Sequence, residues 1–156
     1  MNDKDEHFLR IAFEVARKSH QEGSHPFGAL LVDEHGNILL EAGNLTVSTG
    51  DCTAHAETTL MKLASMQYDS QFLANCTIYA STEPCPMCAG AIFWANVRRV
   101  VYGLSEEGLY SMVNPISEDV LLLHCRDVFA RGKKPVEVVG PLLEEEARAV
   151  HEGFWV

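Results

Sequence analysis

The 156-residue sequence has few basic side chains and no long apolar run. It contains 12 Lys and Arg against 22 Asp and Glu, which gives a formal net charge of −10. No apolar stretch approaches the ~18 residues that a membrane-spanning helix needs. The N-terminal segment, MNDKDEHF, is polar and acidic, unlike a signal peptide. We therefore expect no membrane association and a cytoplasmic location. Nucleic acid is a disfavoured partner, because its binding needs clustered Lys and Arg.

The chain contains five cysteines. The five residues form an odd number, which argues against a disulfide framework in a chain without an export signal. Only Cys85 and Cys88 have a spacing typical of metal ligands. The length suits one domain over residues 1–156, large enough to bury roughly 70% of its unfolded surface in a single core.

Alternating helical and strand patterns run along the whole chain. Helices are predicted at residues 6–21, 55–67, 87–95, 118–130 and 141–152, with Ser117 as a cap and Pro141 as a first helical residue. Strands are predicted at residues 27–32, 38–42, 76–81, 98–103 and 135–140, and the first two form a hairpin around DEHGN. Residues 43–53 and 104–117 are predicted to be irregular. This order indicates an α/β fold whose sheet is covered on both faces, with the later strands parallel.

Two short motifs concentrate the residues that suit chemistry. His55 and Glu57 stand in the stretch TAHAETTLMKLA, at the start of a predicted core helix. A buried imidazole and a buried carboxylate are both costly unless something binds them. Thirty positions later, EPCPMC places Cys85 and Cys88 at a strand-to-helix junction, where thiolates are favoured.

Together the motifs predict a catalytic zinc site. His55, Cys85 and Cys88 supply three ligands of the kind zinc prefers, and a tetrahedral ion then keeps one position for water. Zinc lowers the pKa of such a water towards ~7. Glu57, two residues from His55, can approach that water without being a ligand and transfer its proton.

The paired motifs, HAE and PCPMC, resemble the signature of zinc-dependent deaminases. The stretches HPFGALLV at 25–32, GN at 43–44, TAHAE at 53–57 and EPCPMCAGAI at 83–92 resemble the bacterial guanine deaminases, cytosine deaminases and tRNA adenosine deaminases of the cytidine deaminase-like superfamily. The resemblance implies a three-layer α/β/α sandwich with a five-stranded mixed sheet, a homodimer and one Zn²⁺ per chain.

The same resemblance implies roles for substrate-binding residues. Asn44 would form a hydrogen bond with the substrate ring, the backbone of Ala56 would lie beside the ring, and Phe27 would wall the pocket. Glu57 would protonate a ring nitrogen while water attacks the amine-bearing carbon, and ammonia would leave.

Two interpretations in which the protein is not an enzyme remain open. Cys52 and His55 form C-x-x-H, so Cys52 could complete a closed structural zinc site. The family usually has proline at that position. The second is a zinc-binding module that only recognises a partner. Glu83 is either a contact near the site or a plain turn residue.

The substrate is predicted to be a small aminated heterocycle. CPMCAGAIFWA resembles the guanine deaminase pattern, which favours guanine, followed by cytosine or a nucleoside. A tRNA adenosine deaminase is the alternative, disfavoured by the net charge and by the acidic stretch LSEEGLYS. Phe154 and Trp155 could form a lid that excludes water, or could pack the last helix against the core.

Overall fold

The computed structural model describes residues 3–155. Its eight helices and helical turns and five strands follow the predicted alternation. The helices are α1 (Asp3–Gln21), α2 (Thr46–Thr49), α3 (Ala56–Gln67), α4 (Ser70–Leu73), α5 (Pro86–Ala95), α6 (Glu106–Tyr110), α7 (Cys125–Ala130) and α8 (Glu144–Ala149). The strands are β1 (Gly28–Val32), β2 (Ile38–Gly43), β3 (Thr77–Thr82), β4 (Arg99–Leu104) and β5 (Glu137–Val139).

The five strands form one mixed sheet in the order β2-β1-β3-β4-β5. The β1 strand is antiparallel to both β2 and β3, and the β1–β2 hairpin turns at Asp33, whose Oδ1 accepts hydrogen bonds from the backbone N–H groups of His35 and Asn37. The pairs β3–β4 and β4–β5 are parallel. The predicted fold class and the parallel arrangement of the later strands are confirmed.

Apolar side chains cover both faces of this sheet. In β1, Ala29 and Leu31 face a core formed with α3, α5 and α7, whereas Leu30 and Val32 face a second core formed with α1 and α8. This alternation follows from the two-residue period of a strand. All five residues of β1 are buried, as expected for a strand between two helical layers. The result is a three-layer sandwich.

The predicted helix at 118–130 is wrong in its first half. The observed helix α7 begins only at Cys125. Ser117 does not cap a helix; its Oγ accepts a hydrogen bond from the backbone N–H of Asp119, which closes a local turn. The helix begins where the buried Glu83 carboxylate accepts the backbone N–H of Cys125, at 3.0 Å. A distant carboxylate therefore decides the boundary.

The last predicted helix is too long at both ends. Helix α8 covers Glu144–Ala149, and Pro141 does not open it. The backbone N–H of Leu142 donates to Gly103 O at 3.1 Å, so this part of the chain still follows the edge of β4. Leu143 then has a positive φ of 56° and changes the chain direction before the helix. The predicted irregular segments 43–53 and 104–117 contain the short helices α2 and α6.

Within residues 3–155, none of the helices combines the length and the apolar character needed to cross a bilayer.

Candidate active site

Two helix N-termini bring the predicted metal ligands together. His55 is the N-cap of α3, and Cys85 is the N-cap of α5, with Pro86 as the first helical residue. Their backbone carbonyls accept the first helical hydrogen bonds, from Thr59 at 3.0 Å and from Ala89 at 2.8 Å. Cys88 lies one turn into α5 and is fully buried. The sheet sets both helices side by side, so residues 30 positions apart meet.

The ligand atoms are spaced as a tetrahedral zinc site requires. His55 Nδ1 lies 3.6 Å from Cys85 Sγ and 3.5 Å from Cys88 Sγ. With Zn–S bonds of about 2.3 Å and Zn–N bonds of about 2.0–2.1 Å, tetrahedral geometry puts nitrogen and sulfur roughly 3.6 Å apart. The three residues present therefore fit the metal that the motifs predict. Cys52 is exposed and is not part of the group whose ligand atoms lie within 4.8 Å of one another.

The electrostatics of this group favour a thiolate. The pKa of Cys85 is lowered to about 4, chiefly because the Cys88 thiol donates to its sulfur and then because His55 does. The Cys85 thiolate in turn raises the pKa of His55. A thiolate is the form in which cysteine binds a metal.

Glu57 lies in the first turn of α3, beside the ligand group. Glu57 is buried, with 7% of its surface exposed to solvent. Burial, and then the charge of Cys85, raise the pKa of the Glu57 carboxyl to about 7. A carboxyl that exchanges its proton near neutral pH suits a general acid and base.

A pocket of about 630 Å³ opens onto these residues. His55, Glu57 and Cys85 line it, and we call these three residues together with Cys88 the metal wall. The pocket is also lined by the predicted aromatics Phe27, Phe154 and Trp155, and by Cys52. The volume lies in the range of small-molecule sites.

The C-terminal aromatics both line the pocket and pack. Trp155 Nε1 donates to Nδ1 of the buried His151 at 3.0 Å, and its ring lies 6.2 Å from that of Phe27. The ring of Phe154 lies 5.3 Å from that of His25. The two interpretations of these side chains are therefore not exclusive.

Asn44 and Ala56 are not among the residues that line the pocket. Asn44 is 3% exposed, and its Oδ1 accepts hydrogen bonds from the backbone N–H and the hydroxyl of Thr46, at 3.0 and 2.8 Å. Since a backbone N–H only donates, the amide oxygen must face Thr46 and the NH₂ group faces away. Ala56 is fully buried. Their contacts with substrate stay predictions.

A second wall of the pocket is built around Glu83. This buried carboxylate accepts the backbone N–H of Glu106 at 3.1 Å and that of Cys125 at 3.0 Å, and it pairs with His124 Nδ1 at 3.1 Å. We call Glu83 and Glu106, which line the pocket, together with their neighbour His124 the acidic wall. Glu83 therefore lies at the pocket and is not a plain turn residue.

Sequence reasoning missed Glu106, His124 and Asp119. Glu106 and Asp119 line the pocket, and His124 pairs with Glu83. The stretch LSEEGLYS stands out in the sequence only by its negative charge, and no spacing rule connects it with Glu83. A burial pattern in α6 would have been the one local signal, because Glu106 lies beside Leu109 on its buried face.

Comparison with known proteins decides the family. Residues 2–104 match the profile of the cytidine and deoxycytidylate deaminase zinc-binding region. The chain belongs to this deaminase family. Its members are hydrolytic enzymes that act on C–N bonds, and the domain is a zinc-binding one. The predictions of a deaminase and of zinc are thereby confirmed.

Individual deaminases resemble the chain over most of its length. A probable cytosine deaminase of Schizosaccharomyces pombe is 44% identical over 156 residues, which cover 99% of this chain and 94% of that protein. A structure from a study of tRNA:A34 deaminases is 29% identical with a TM-score of 0.72, covering 92% of this chain and 98% of that one. A guanine deaminase from Nitrosomonas europaea is 25% identical with a TM-score of 0.76, covering 92% and 80%.

Proposed function

We propose that this deaminase acts on a free nucleobase, with cytosine as the first candidate and guanine as the second. The observation that carries the proposal is the charge of the pocket. Its lining includes the four carboxyl residues Glu57, Glu83, Glu106 and Asp119, while none of the described lining residues is Lys or Arg. Burial lowers the pKa of the one lining histidine outside the metal wall, His25, and so favours its neutral form.

Such a pocket disfavours substrates that carry phosphate. Nucleic-acid and nucleotide sites neutralise phosphate with Lys, Arg or backbone N–H groups. An uncharged ring with N–H donors complements carboxylates instead. This argument supports a small molecule over the anticodon of a tRNA, as the net charge does.

The choice of base rests on similarity over the whole chain. The probable cytosine deaminase matches through to the C-terminal segment, where Phe154 and Trp155 line the pocket. The guanine preference predicted from CPMCAGAIFWA keeps the support of the similar guanine deaminase structure. Guanine therefore stays the second candidate. The predicted homodimer also stays a prediction; Trp94, at 82% exposure, is not a core residue and is available for such a contact.

Different residues of the pocket have different roles in the proposed hydrolysis. Zinc, when held by His55, Cys85 and Cys88, supplies a Lewis acid that makes water nucleophilic near neutral pH. Glu57 takes the proton of the attacking water and delivers it to a ring nitrogen, then assists departure of the amine as ammonia. Phe27, Phe154 and Trp155 hold the ring and limit access of bulk water. Cytosine and water give uracil and ammonia.

Ammonia release from zinc-loaded protein tests the proposal. The panel contains cytosine, guanine, adenine, their nucleosides, an aminotriazine and a tRNA anticodon stem-loop, with Glu57→Gln protein as the blank. We expect release from one free base. Release only from the stem-loop, or only from a nucleoside, would contradict the free-base assignment.

A further inference from the structure

Glu106 is a buried carboxylate whose oxygens accept no well-formed hydrogen bond from the described residues, although the backbone of Leu123 and the imidazole of His124 lie near enough to lower its pKa. Only 2% of its surface is exposed to solvent. His124 Nδ1 lies 4.0 Å from Oε2 of Glu106 but only 3.1 Å from Oε2 of Glu83, so its closer partner is Glu83. The side chain nevertheless lines the same pocket as Glu57 and Cys85.

This arrangement carries an energetic cost that the neighbouring residues offset only in part. Burial, and then the neighbouring Glu83, raise the pKa of the Glu106 carboxyl to about 7, while His124 and the backbone of Leu123 lower it. Buried polar groups are satisfied in the great majority of cases, and a group that is not satisfied calls for an explanation. A carboxylate that is kept at such a cost in a pocket is a candidate for ligand binding.

The fold does not need this side chain. The backbone N–H of Glu106, rather than its carboxylate, makes the contact with Glu83 that anchors α6. The first turn of α6 is also capped independently, because the Ser105 hydroxyl accepts the backbone N–H of Gly108 at 3.1 Å. Replacement of the carboxylate therefore removes no hydrogen bond seen in the structure.

We propose that Glu106 is a specificity-determining residue, whose carboxylate accepts a hydrogen bond from a ring N–H on the edge of the base away from its amine-bearing carbon. The inference rests on the proposed function. The reacting carbon must lie at the metal wall, so another edge of the ring faces Glu106. In cytosine the N1–H lies directly across the ring from C4, and in guanine the N9–H is on the five-membered ring.

The contact defines the substrate class. Nucleosides carry the sugar on the same nitrogen and have no N–H there, so they would leave the buried carboxylate unpaired and would crowd it. A site built to hydrogen-bond a substrate N–H discriminates strongly against the analogue that lacks it, by up to about 10⁴–10⁵-fold. Glu106 thus selects free bases.

The test compares a base with its N-methyl derivative. For wild type, Glu106→Ala, Glu106→Gln and the control Glu107→Gln, kcat and KM are measured on cytosine and 1-methylcytosine, or on guanine and 9-methylguanine if guanine reacts. Glu107 is an exposed neighbour that pairs with His124 Nε2 and does not line the pocket. We expect wild type and Glu107→Gln to favour the unmethylated base by at least about 100-fold. In Glu106→Ala the ratio falls to about 10-fold or less, chiefly because KM for the unmethylated base rises.

Two further measurements separate recognition from a structural role. Calorimetry of the product rings, uracil against 1-methyluracil and xanthine against 9-methylxanthine, gives the same discrimination without turnover. Thermal unfolding of Glu106→Gln is expected at the wild-type temperature or above it, because the buried charge is gone.

Several outcomes would overturn the proposal. These are an unchanged methyl discrimination in folded Glu106→Ala or Glu106→Gln protein, a fall of several degrees in the unfolding temperature of Glu106→Gln, and no binding of any of the four rings. Efficient deamination of a nucleoside by wild type would overturn both the free-base assignment and the role of Glu106. If calorimetry shows the discrimination between methylated and unmethylated rings but no base releases ammonia, the proposed reaction is wrong and the role of Glu106 in binding stands.

Discussion

The metal wall and the acidic wall face the same pocket but are built in different ways. His55, Glu57, Cys85 and Cys88 all come from two short motifs at helix N-termini. The acidic wall joins Glu83, at the end of β3, to Glu106 and to His124, which are 23 and 41 positions further along. A motif specifies the first wall, and a network of contacts between distant segments specifies the second.

The difference teaches where reactivity and selectivity reside in this molecule. The metal wall lies on the first turns of α3 and α5. The buried faces of these two helices pack against the sheet and against each other. The acidic wall depends on a segment, 111–124, that lacks regular secondary structure and is held by side-chain hydrogen bonds. Loops on a rigid scaffold can vary the substrate without disturbing the chemistry.

The largest effect is expected at the metal wall. Glu57→Gln keeps the shape of the side chain but cannot move protons, so kcat should fall by about 10²–10⁴-fold or more. The three ligands are untouched, and metal analysis should find the same zinc content as in wild type. Turnover near the wild-type rate would refute the role of Glu57.

Disruption of the acidic wall should lower the unfolding free energy of the protein. Glu83→Ala leaves the backbone N–H groups of Glu106 and Cys125, and Nδ1 of His124, without their partner. We expect a loss of about 3 kcal/mol in unfolding free energy, measured by urea titration. Glu118→Gln, an exposed carboxyl of the same segment, is the control and should change little. Equal stability of the two variants would show that Glu83 does not hold the wall.

The aromatic residues between the walls should affect catalysis more than folding. Phe154→Ala with Trp155→Ala removes two rings of the pocket lining, and kcat/KM should fall about 10-fold while unfolding stays cooperative. Phe72→Ala, a partly exposed ring stacked on Tyr68, is the control. Unchanged kinetics would leave packing as the sole role of these aromatics. Residue 156 lies outside the described residues.

The acidic wall should also respond to pH. Glu83 raises the pKa of His124 above its ordinary value of 6.5. Because the folded pKa is the higher one, this pair stabilises the protein fully below the unfolded pKa and loses its effect as pH rises through the folded pKa. The contribution of a partly exposed pair is about 1 kcal/mol or less. Unfolding temperatures of wild type and His124→Gln should therefore differ more at pH 5.5 than at pH 8.5; a constant difference would contradict the pairing.

The smallest effect is expected at Cys52. Its side chain is exposed and stands outside the ligand group. Cys52→Ser should keep its zinc and should react within about twofold of the wild-type rate, since one small exposed side chain of the pocket lining is replaced by another of similar shape. Loss of zinc from this variant would revive the closed structural site.

The sequence predicted those parts whose signals are local. Helix α3, the hairpin at Asp33 and the metal ligands follow from periodicity, turn chemistry and spacing. The failures have non-local causes. Helix α7 starts at Cys125 because the carboxylate of Glu83, just after β3, accepts the backbone N–H of Cys125. The chain after Pro141 follows β4 because the backbone N–H of Leu142 donates to Gly103 O. Glu106 was missed because its spacing from Leu109 is a weak local signal in a helix of five residues, and its burial depends on contacts with distant segments.

X-ray absorption at the zinc edge of the loaded wild-type protein tests the central claim most directly. The account predicts a four-coordinate ion with two sulfur ligands, one imidazole nitrogen and one light atom from solvent, the open geometry of a catalytic site. Three sulfurs and one imidazole would mean that Cys52 closes the site, and that result would contradict the assignment of the metal wall to catalysis.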